Sequence, residues 1–231
     1  MMKEYLIYNK LIISSKINLH DSIFLFIKRL FDIVFSLVLL FLFSPLIIFL
    51  SFIIYFQTGC NPIYVQKRGL SLDKFNFKIF KLRTLYPNKH KHSISSNVFI
   101  QNELNDSVIP IGKWLRKTGL DELPQLVNIL KGDMSLIGPR PLSVSDLTVI
   151  LKTEPALYNR RNKINIKPGI SGYWQIFGDR NKGVVNLIEM EEYYANNKSI
   201  VLDLFLVFMT IPLILFAKHS DAIVKEMKIN K

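Results

Sequence analysis

A chain of 231 residues holds material for one domain with a substantial core and little for a second. Its 30 lysines and arginines outnumber 18 aspartates and glutamates, and the net charge of +12 points to anionic partners: nucleic acid, a membrane surface or phosphorylated substrates. The sequence has no zinc-finger spacing, basic heptad helix or RNP-like aromatic motif to support nucleic acid; Cys60 alone makes no disulfide framework, and His20, His90, His92 and His219 lack the spacing of a transition-metal site.

Residues 1–27 read as an N-terminal extension. Ile33 to Phe56 then run without a charge, dominated by Leu, Ile, Phe and Val. At ~1.5 Å per residue such a helix is roughly 36 Å long, enough to cross a hydrocarbon core of about 30 Å. The run is too long for a cleaved signal peptide, and no small-residue cleavage site follows it. Ser44-Pro45 falls in its middle, where proline removes a helical hydrogen bond and crowds the carbonyl of Phe41, so a sharp bend is expected there. Lys28 and Arg29 precede the run and Lys67 and Arg68 follow it, and the positive-inside rule places both flanks on the cytoplasmic side. A re-entrant helix over residues 28–58, bent at Ser44-Pro45 and leaving by the face it entered, satisfies both features. On physical grounds alone a kinked full span is the alternative.

Beyond the apolar run the period changes. Ile63-Tyr-Val-Gln is strand-like, and Phe75, Phe77 and Ile79 alternate with Asn76 and Lys78 across turn-forming residues near Gly69, Ser71 and Asp73, which predicts a β-hairpin. Pro87 to Asn105 is polar and irregular, a loop in which His90 and His92 are expected to be solvated.

Leu115 to Pro141 carries the chemistry. Asp121 and Glu122 are adjacent carboxylates set between Arg116 and Arg140. An acidic pair framed by guanidinium groups suits phosphoryl transfer, with one carboxylate attacking or holding Mg²⁺ and the arginines holding phosphate oxygens. The plainer reading is a capping box, Thr118 at the N-cap and Asp121 three residues on, with Pro124 near the end of the first turn. The two are compatible, since a helix N-terminus also binds phosphate. Leu126, Ile129 and Leu130 have helical spacing. Lys167 to Gln175 reads as a loop with tight turns, and Val185 to Asn196 as an amphipathic helix. Leu204 to Ala217 is a short apolar helix, with Pro212 inside and Asp203 and Lys218 as polar ends, suited to lie along a membrane surface. Residues 218–231 form a tail.

The string Leu115 to Pro141 closely resembles the signature of the bacterial sugar transferases, the polyprenyl-phosphate hexose-1-phosphate transferases or small monotopic phosphoglycosyl transferases. The resemblance extends from about Lys28 to Phe216. It takes in Lys28-Arg29 with Asp32 and the mid-helix Ser44-Pro45, is strong at Lys167 to Gln175, and is weak in the turn between Arg68 and Phe77. Lys81-Leu-Arg-Thr-Leu85 stands where Lys-Phe-Arg-(Ser/Thr)-Met is usual, and Gly178 to Lys182 replaces a shorter Asn-Gly-Arg-Asn. Larger relatives carry transmembrane helices ahead of this core, for which residues 1–27 leave no room.

The resemblance implies an α+β, mostly helical, monotopic membrane protein with an N-terminal re-entrant helix hairpin bent at Ser44-Pro45, a β-hairpin and amphipathic interfacial helices. Residues 59–217 would form a catalytic domain on the cytoplasmic face of a bacterial inner membrane. It implies that Asp121 is the nucleophile, that Glu122 beside it holds Mg²⁺, and that Arg116, Arg140, Lys81 and Arg83 bind phosphates. The implied reaction moves a hexose 1-phosphate from a UDP-sugar to undecaprenyl (polyprenyl) phosphate through an aspartyl-phosphosugar intermediate. UMP is released and a surface polysaccharide or glycoconjugate begun. The sugar is left open, as are a monomer and a homodimer. Two rival readings use the same residues differently: a non-catalytic scaffold for glycan assembly, and a basic peripheral protein that binds anionic lipid or nucleic acid.

Overall fold

A helix of 40 residues, α1 (Leu19–Thr58), is the first element of the computed structural model, which describes residues 19–87 and 107–216. The polar loop with His90 and His92, residues 1–18 of the extension and the tail from residue 217, Lys218 and His219 included, lie outside the described residues. α1 runs unbroken through Pro45. The Ser44 hydroxyl donates to the Phe41 carbonyl at 2.9 Å. That is the acceptor deprived of its amide partner by the proline ring, so Ser44 offsets the main-chain loss. On the N-terminal arm Phe31, Leu39 and Leu40 pack on the main core; on the C-terminal arm Leu46, Ile47, Leu50 and Ile54 pack with Leu82, Ile109 and Leu115. Phe41 and Leu42, between the arms, are exposed.

The expected hairpin is present. β1 (Ile63–Gly69) pairs antiparallel with β2 (Phe77–Leu82), from Ile63 opposite Leu82 to Arg68 opposite Phe77. Phe75, expected to continue the alternation, instead sits in the turn with φ 51°. Its ring still packs on the main core, so a hydrophobic contact rather than strand pairing accounts for that residue. After α2 (Gly112–Thr118), a 3₁₀ turn (Leu120–Glu122) and α3 (Gln125–Lys131), the chain enters β3 (Ser135–Ile137) and β4 (Leu142–Ser143). β4 adds to the free edge of β1, giving the order β2-β1-β4.

α4 (Val144–Thr153) starts from a capping box between Ser143 and Asp146, and α5 (Pro155–Lys163) follows with proline in its first turn. The stretch Lys167 to Gln175, expected as loop, holds β5 (Gly169–Ser171), parallel to β3, and α6 (Tyr173–Phe177). Its glycines serve close main-chain approach: a Cβ on Gly172 would lie 2.1 Å from the Gly138 carbonyl oxygen. α7 (Gly183–Asn197) matches the expected amphipathic helix. α8 (Ile200–Leu215) begins earlier than its apolar run because Ser199 caps it, accepting from the Leu202 amide. Asp203 is therefore no polar end; it lies inside the first turn and is buried, while Val201, Phe205, Phe208, Ile211 and Ile214 are exposed.

Candidate active site

The acidic pair owes its position to a turn, not to a helix cap. Thr118 closes α2, its hydroxyl donating to the carbonyls of Trp114 and Leu115 at 2.9 and 3.1 Å. Gly119 then takes the left-handed conformation, φ 72°, which reverses the chain at low steric cost. The capping box expected at Thr118 is thus overturned: Asp121 and Glu122 form a 3₁₀ turn, and α3 starts only after Pro124.

Both carboxylates are buried, Asp121 at 3% and Glu122 at 5% exposure. A buried carboxylate requires hydrogen bonds or an opposite charge. For Glu122 the charge is Lys81, whose ammonium lies 2.6 Å from Oε1. Strand alternation puts Ile79 and Lys81 on one side of β2, and both line a small cavity with Glu122. Arg68 of β1, Gln125 at the start of α3 and Arg140 after β3 complete the polar part of the lining. Arg68, Lys81 and Arg140 thus line one small cavity with Glu122, a local excess of positive charge that favours an anionic ligand. The buried Gln125 Nε2 has no hydrogen-bond partner among the described residues, leaving a donor for such a ligand.

The Arg140 main chain is clamped from both sides. Glu191 Oε1 accepts from its amide at 2.8 Å, and Arg161 donates to its carbonyl. Arg161 and Glu191 are themselves a buried pair, Nε to Oε2 2.8 Å, and Arg161 also donates to the Leu70 carbonyl. The flanking prolines Pro139 and Pro141 further stiffen this segment.

The structure brings Lys81, Glu122 and Arg140 onto one cavity, with Asp121 in the adjoining turn but outside the lining. The other two expected phosphate ligands, Arg83 and Arg116, do not line this cavity. Arg83 donates to the Asn61 carbonyl at 2.8 Å and stacks over Tyr64, because β2 ends before it. Arg116 is half-buried on α2 and does not line the cavity.

The sequence places Arg68 only in the basic flank that follows the apolar run. In the structure it donates to the Pro141 carbonyl at 3.0 Å and lines the site. Lys28 and Arg29, read the same way, are also internal partners: Lys28 pairs with Asp203, and Arg29 donates to the carbonyls of Ile129 and Leu130 at the end of α3. Glu191 and Arg161 were missed, although one cue existed. Leu187, Glu191 and Tyr194 share a helical face, and a lone carboxylate on an apolar stripe needs a partner.

Among the described residues no group of three or more Asp, Glu, His or Cys could form an all-protein metal cage. Mg²⁺ is commonly held by one or two carboxylates, substrate phosphates and water, and Asp121 with Glu122 beside an anion-attracting cavity offers that combination.

Comparison with known proteins identifies the family. A family model described as bacterial sugar transferase matches residues 23–217. The exopolysaccharide production protein ExoY of Sinorhizobium fredii is 32% identical over 204 residues, covering 84% of this chain and 87% of that protein. The UDP-N-acetylgalactosamine-undecaprenyl-phosphate N-acetylgalactosaminephosphotransferase of Aeromonas hydrophila is 35% identical over 201 residues, 85% of this chain and 45% of that protein. The undecaprenyl-phosphate galactose phosphotransferase of Salmonella typhimurium is 33% identical, over 82% of this chain and 40% of its own length.

Proposed function

The chain belongs to the bacterial sugar transferase family, and from that premise we propose that it transfers a hexose 1-phosphate from a UDP-sugar to undecaprenyl phosphate at the cytoplasmic face of the inner membrane. UMP is the leaving group, and the lipid-linked sugar starts a surface polysaccharide or glycoconjugate. The observation that carries this reading is the small cavity lined together by Arg68, Lys81, Arg140 and Glu122, with Asp121 in the same turn as Glu122. The names of the relatives from Aeromonas and Salmonella supply the substrate class.

Asp121 acts as nucleophile. Its carboxylate oxygen bonds to the sugar-linked phosphorus, the bond from that phosphorus to the bridging oxygen breaks, and UMP departs with the electron pair. A phosphate oxygen of the lipid then attacks the same phosphorus and displaces the aspartate, giving polyprenyl diphosphate–sugar and restoring the carboxylate. Both attacking groups are already anions, so neither step needs a strong protein base. Arg68 and Arg140 bind phosphate oxygens, and the Gln125 amide donates a further hydrogen bond. Glu122 and Asp121 would hold Mg²⁺, which when bound would neutralise charge on the diphosphate.

Membrane placement follows from the acceptor. At about 0.8 kcal/mol per buried CH₂, a long polyprenyl chain stays in the bilayer, so the site must come to it. Each arm of α1 packs on the folded body, which supports the re-entrant form bent at Ser44-Pro45. A straight helix of this length would extend roughly 60 Å. The exposed apolar side of α8 suits the membrane surface.

Intact mass spectrometry with donor and Mg²⁺ but no lipid acceptor tests the mechanism. We expect the protein to gain the mass of a hexose phosphate, to lose that gain in Asp121→Asn, and to retain some of it in Glu122→Gln. An adduct that persists in Asp121→Asn would place the nucleophile elsewhere. Acceptor-dependent UMP release without any adduct would mean direct transfer.

A further inference from the structure

Between the membrane helix and the cavity lies a second group of buried charges that the transfer chemistry does not use. Lys28 of α1 donates to Asp203 Oδ2 at 2.5 Å and to the Ile137 carbonyl at 2.9 Å. Asp203 belongs to α8, and its other oxygen accepts from the Tyr194 hydroxyl of α7 at 2.7 Å. One turn along α1, Asp32 Oδ1 accepts from the Leu136 amide at 2.9 Å and the Ser135 hydroxyl at 3.0 Å. Every residue of β3, Ser135 to Ile137, is therefore held by a side chain of α1. β3 leads directly into Gly138-Pro139-Arg140, and Glu191, which holds the Arg140 amide, is one turn before Tyr194 on the same helix.

A pair this deeply buried is a weak source of stability, because desolvating both charges offsets most of their attraction. Burial pushes the Asp203 carboxyl above the usual range against the pull of Lys28 and Tyr194, and pushes the Tyr194 hydroxyl well upward, so Tyr194 remains a neutral donor. Apolar side chains would join α1, α7 and α8 as well. They would not supply directional hydrogen bonds to the Ile137 carbonyl, three residues ahead of the arginine that lines the cavity.

We propose that Lys28 and Asp203 are positioning residues: they lock α1 and α8 onto β3 and so set where Arg140 meets a substrate phosphate. The seating of the two apolar helices is thereby transmitted to the phosphate site. This inference rests on the phosphotransfer reading above.

The test is a double-mutant cycle on the whole 231-residue chain in membranes, following UMP release from the UDP-sugar. Lys28→Met keeps the aliphatic stem and removes the charge; Asp203→Asn keeps an oxygen for Tyr194. Each is measured alone and together with Arg140→Lys. We expect each alone to raise KM for the nucleotide sugar about tenfold with a smaller fall in kcat. We expect Lys28→Arg to recover most of the loss. In the Arg140→Lys background the same substitutions should cost less than about twofold, because the group they position is already altered. An undiminished loss in that background, or an unchanged KM in both single variants, overturns the proposal. If Lys28→Met fails to fold, the near-isosteric Asp203→Asn carries the cycle alone. Lack of turnover by the unaltered protein with any donor would instead overturn the phosphotransfer reading.

Discussion

Asp121 and Glu122 stand side by side in one buried turn, and the proposed mechanism gives them different roles, attack to Asp121 and support of the site to Glu122, which pairs with Lys81. Asp121→Asn is nearly isosteric and should reduce turnover by on the order of a thousandfold or more while leaving the melting temperature and membrane fraction unchanged. Full activity in that variant would remove the nucleophile assignment. Glu191 makes a different prediction, one about stability. Glu191→Leu leaves the Arg161 guanidinium buried without its charge partner and should cost about 3–5 kcal/mol, read as thermal unfolding in detergent. Glu191→Gln keeps an acceptor for the Arg140 amide and should cost less. Equal stability of the leucine variant would show that the clamp carries no weight.

Among the elements, those with a clear period were legible and those made by distant contacts were not. The hairpin could be read because Phe77 and Ile79 alternate with polar neighbours between turn residues, and α7 because its apolar residues recur at helical spacing. The direction of the turn at Thr118 could not, since Thr-x-x-Asp fits a helix start as well as a helix end followed by glycine. The pairing of β3 with β5 was hidden for a similar reason: glycines that signal a loop in sequence here permit two main chains to touch. A Cβ on Gly138 would lie 2.3 Å from the Lys167 carbonyl oxygen. Gly138→Ala should therefore part the two strands, destabilise the protein by about 1–3 kcal/mol and lower turnover by shifting Arg140. Wild-type stability and activity would mean that the strands yield without cost. At the membrane helix, Pro45→Leu restores an amide to the Phe41 carbonyl and should shift part of the population to a straight crossing, measured by labelling single cysteines placed at either end of α1. If both ends stay on one face throughout, the contacts of the two arms with the folded body set the bend, and the proline does not.

At the scale of the molecule, the excess of basic charge divides into several uses. Arg68, Lys81 and Arg140 face the cavity, while Lys28, Arg29 and Arg161 hold elements together. Charge counting pointed to an anionic partner but could not separate these roles, because each depends on contacts between residues far apart in sequence. The same organisation suits the proposed transfer from a soluble donor to a lipid acceptor: a cationic cavity lies in a body to which an apolar helix is fastened at both arms. The central claim is the transfer itself. Its most direct test is UMP release by the purified, detergent-solubilised protein with Mg²⁺, across a panel of UDP-sugars, with and without undecaprenyl phosphate. The account predicts sustained release from at least one UDP-sugar only when the lipid phosphate is present. Folded protein that releases no UMP from any UDP-sugar, with lipid phosphate and Mg²⁺ supplied, would contradict it and favour a scaffold that has kept the fold without the reaction.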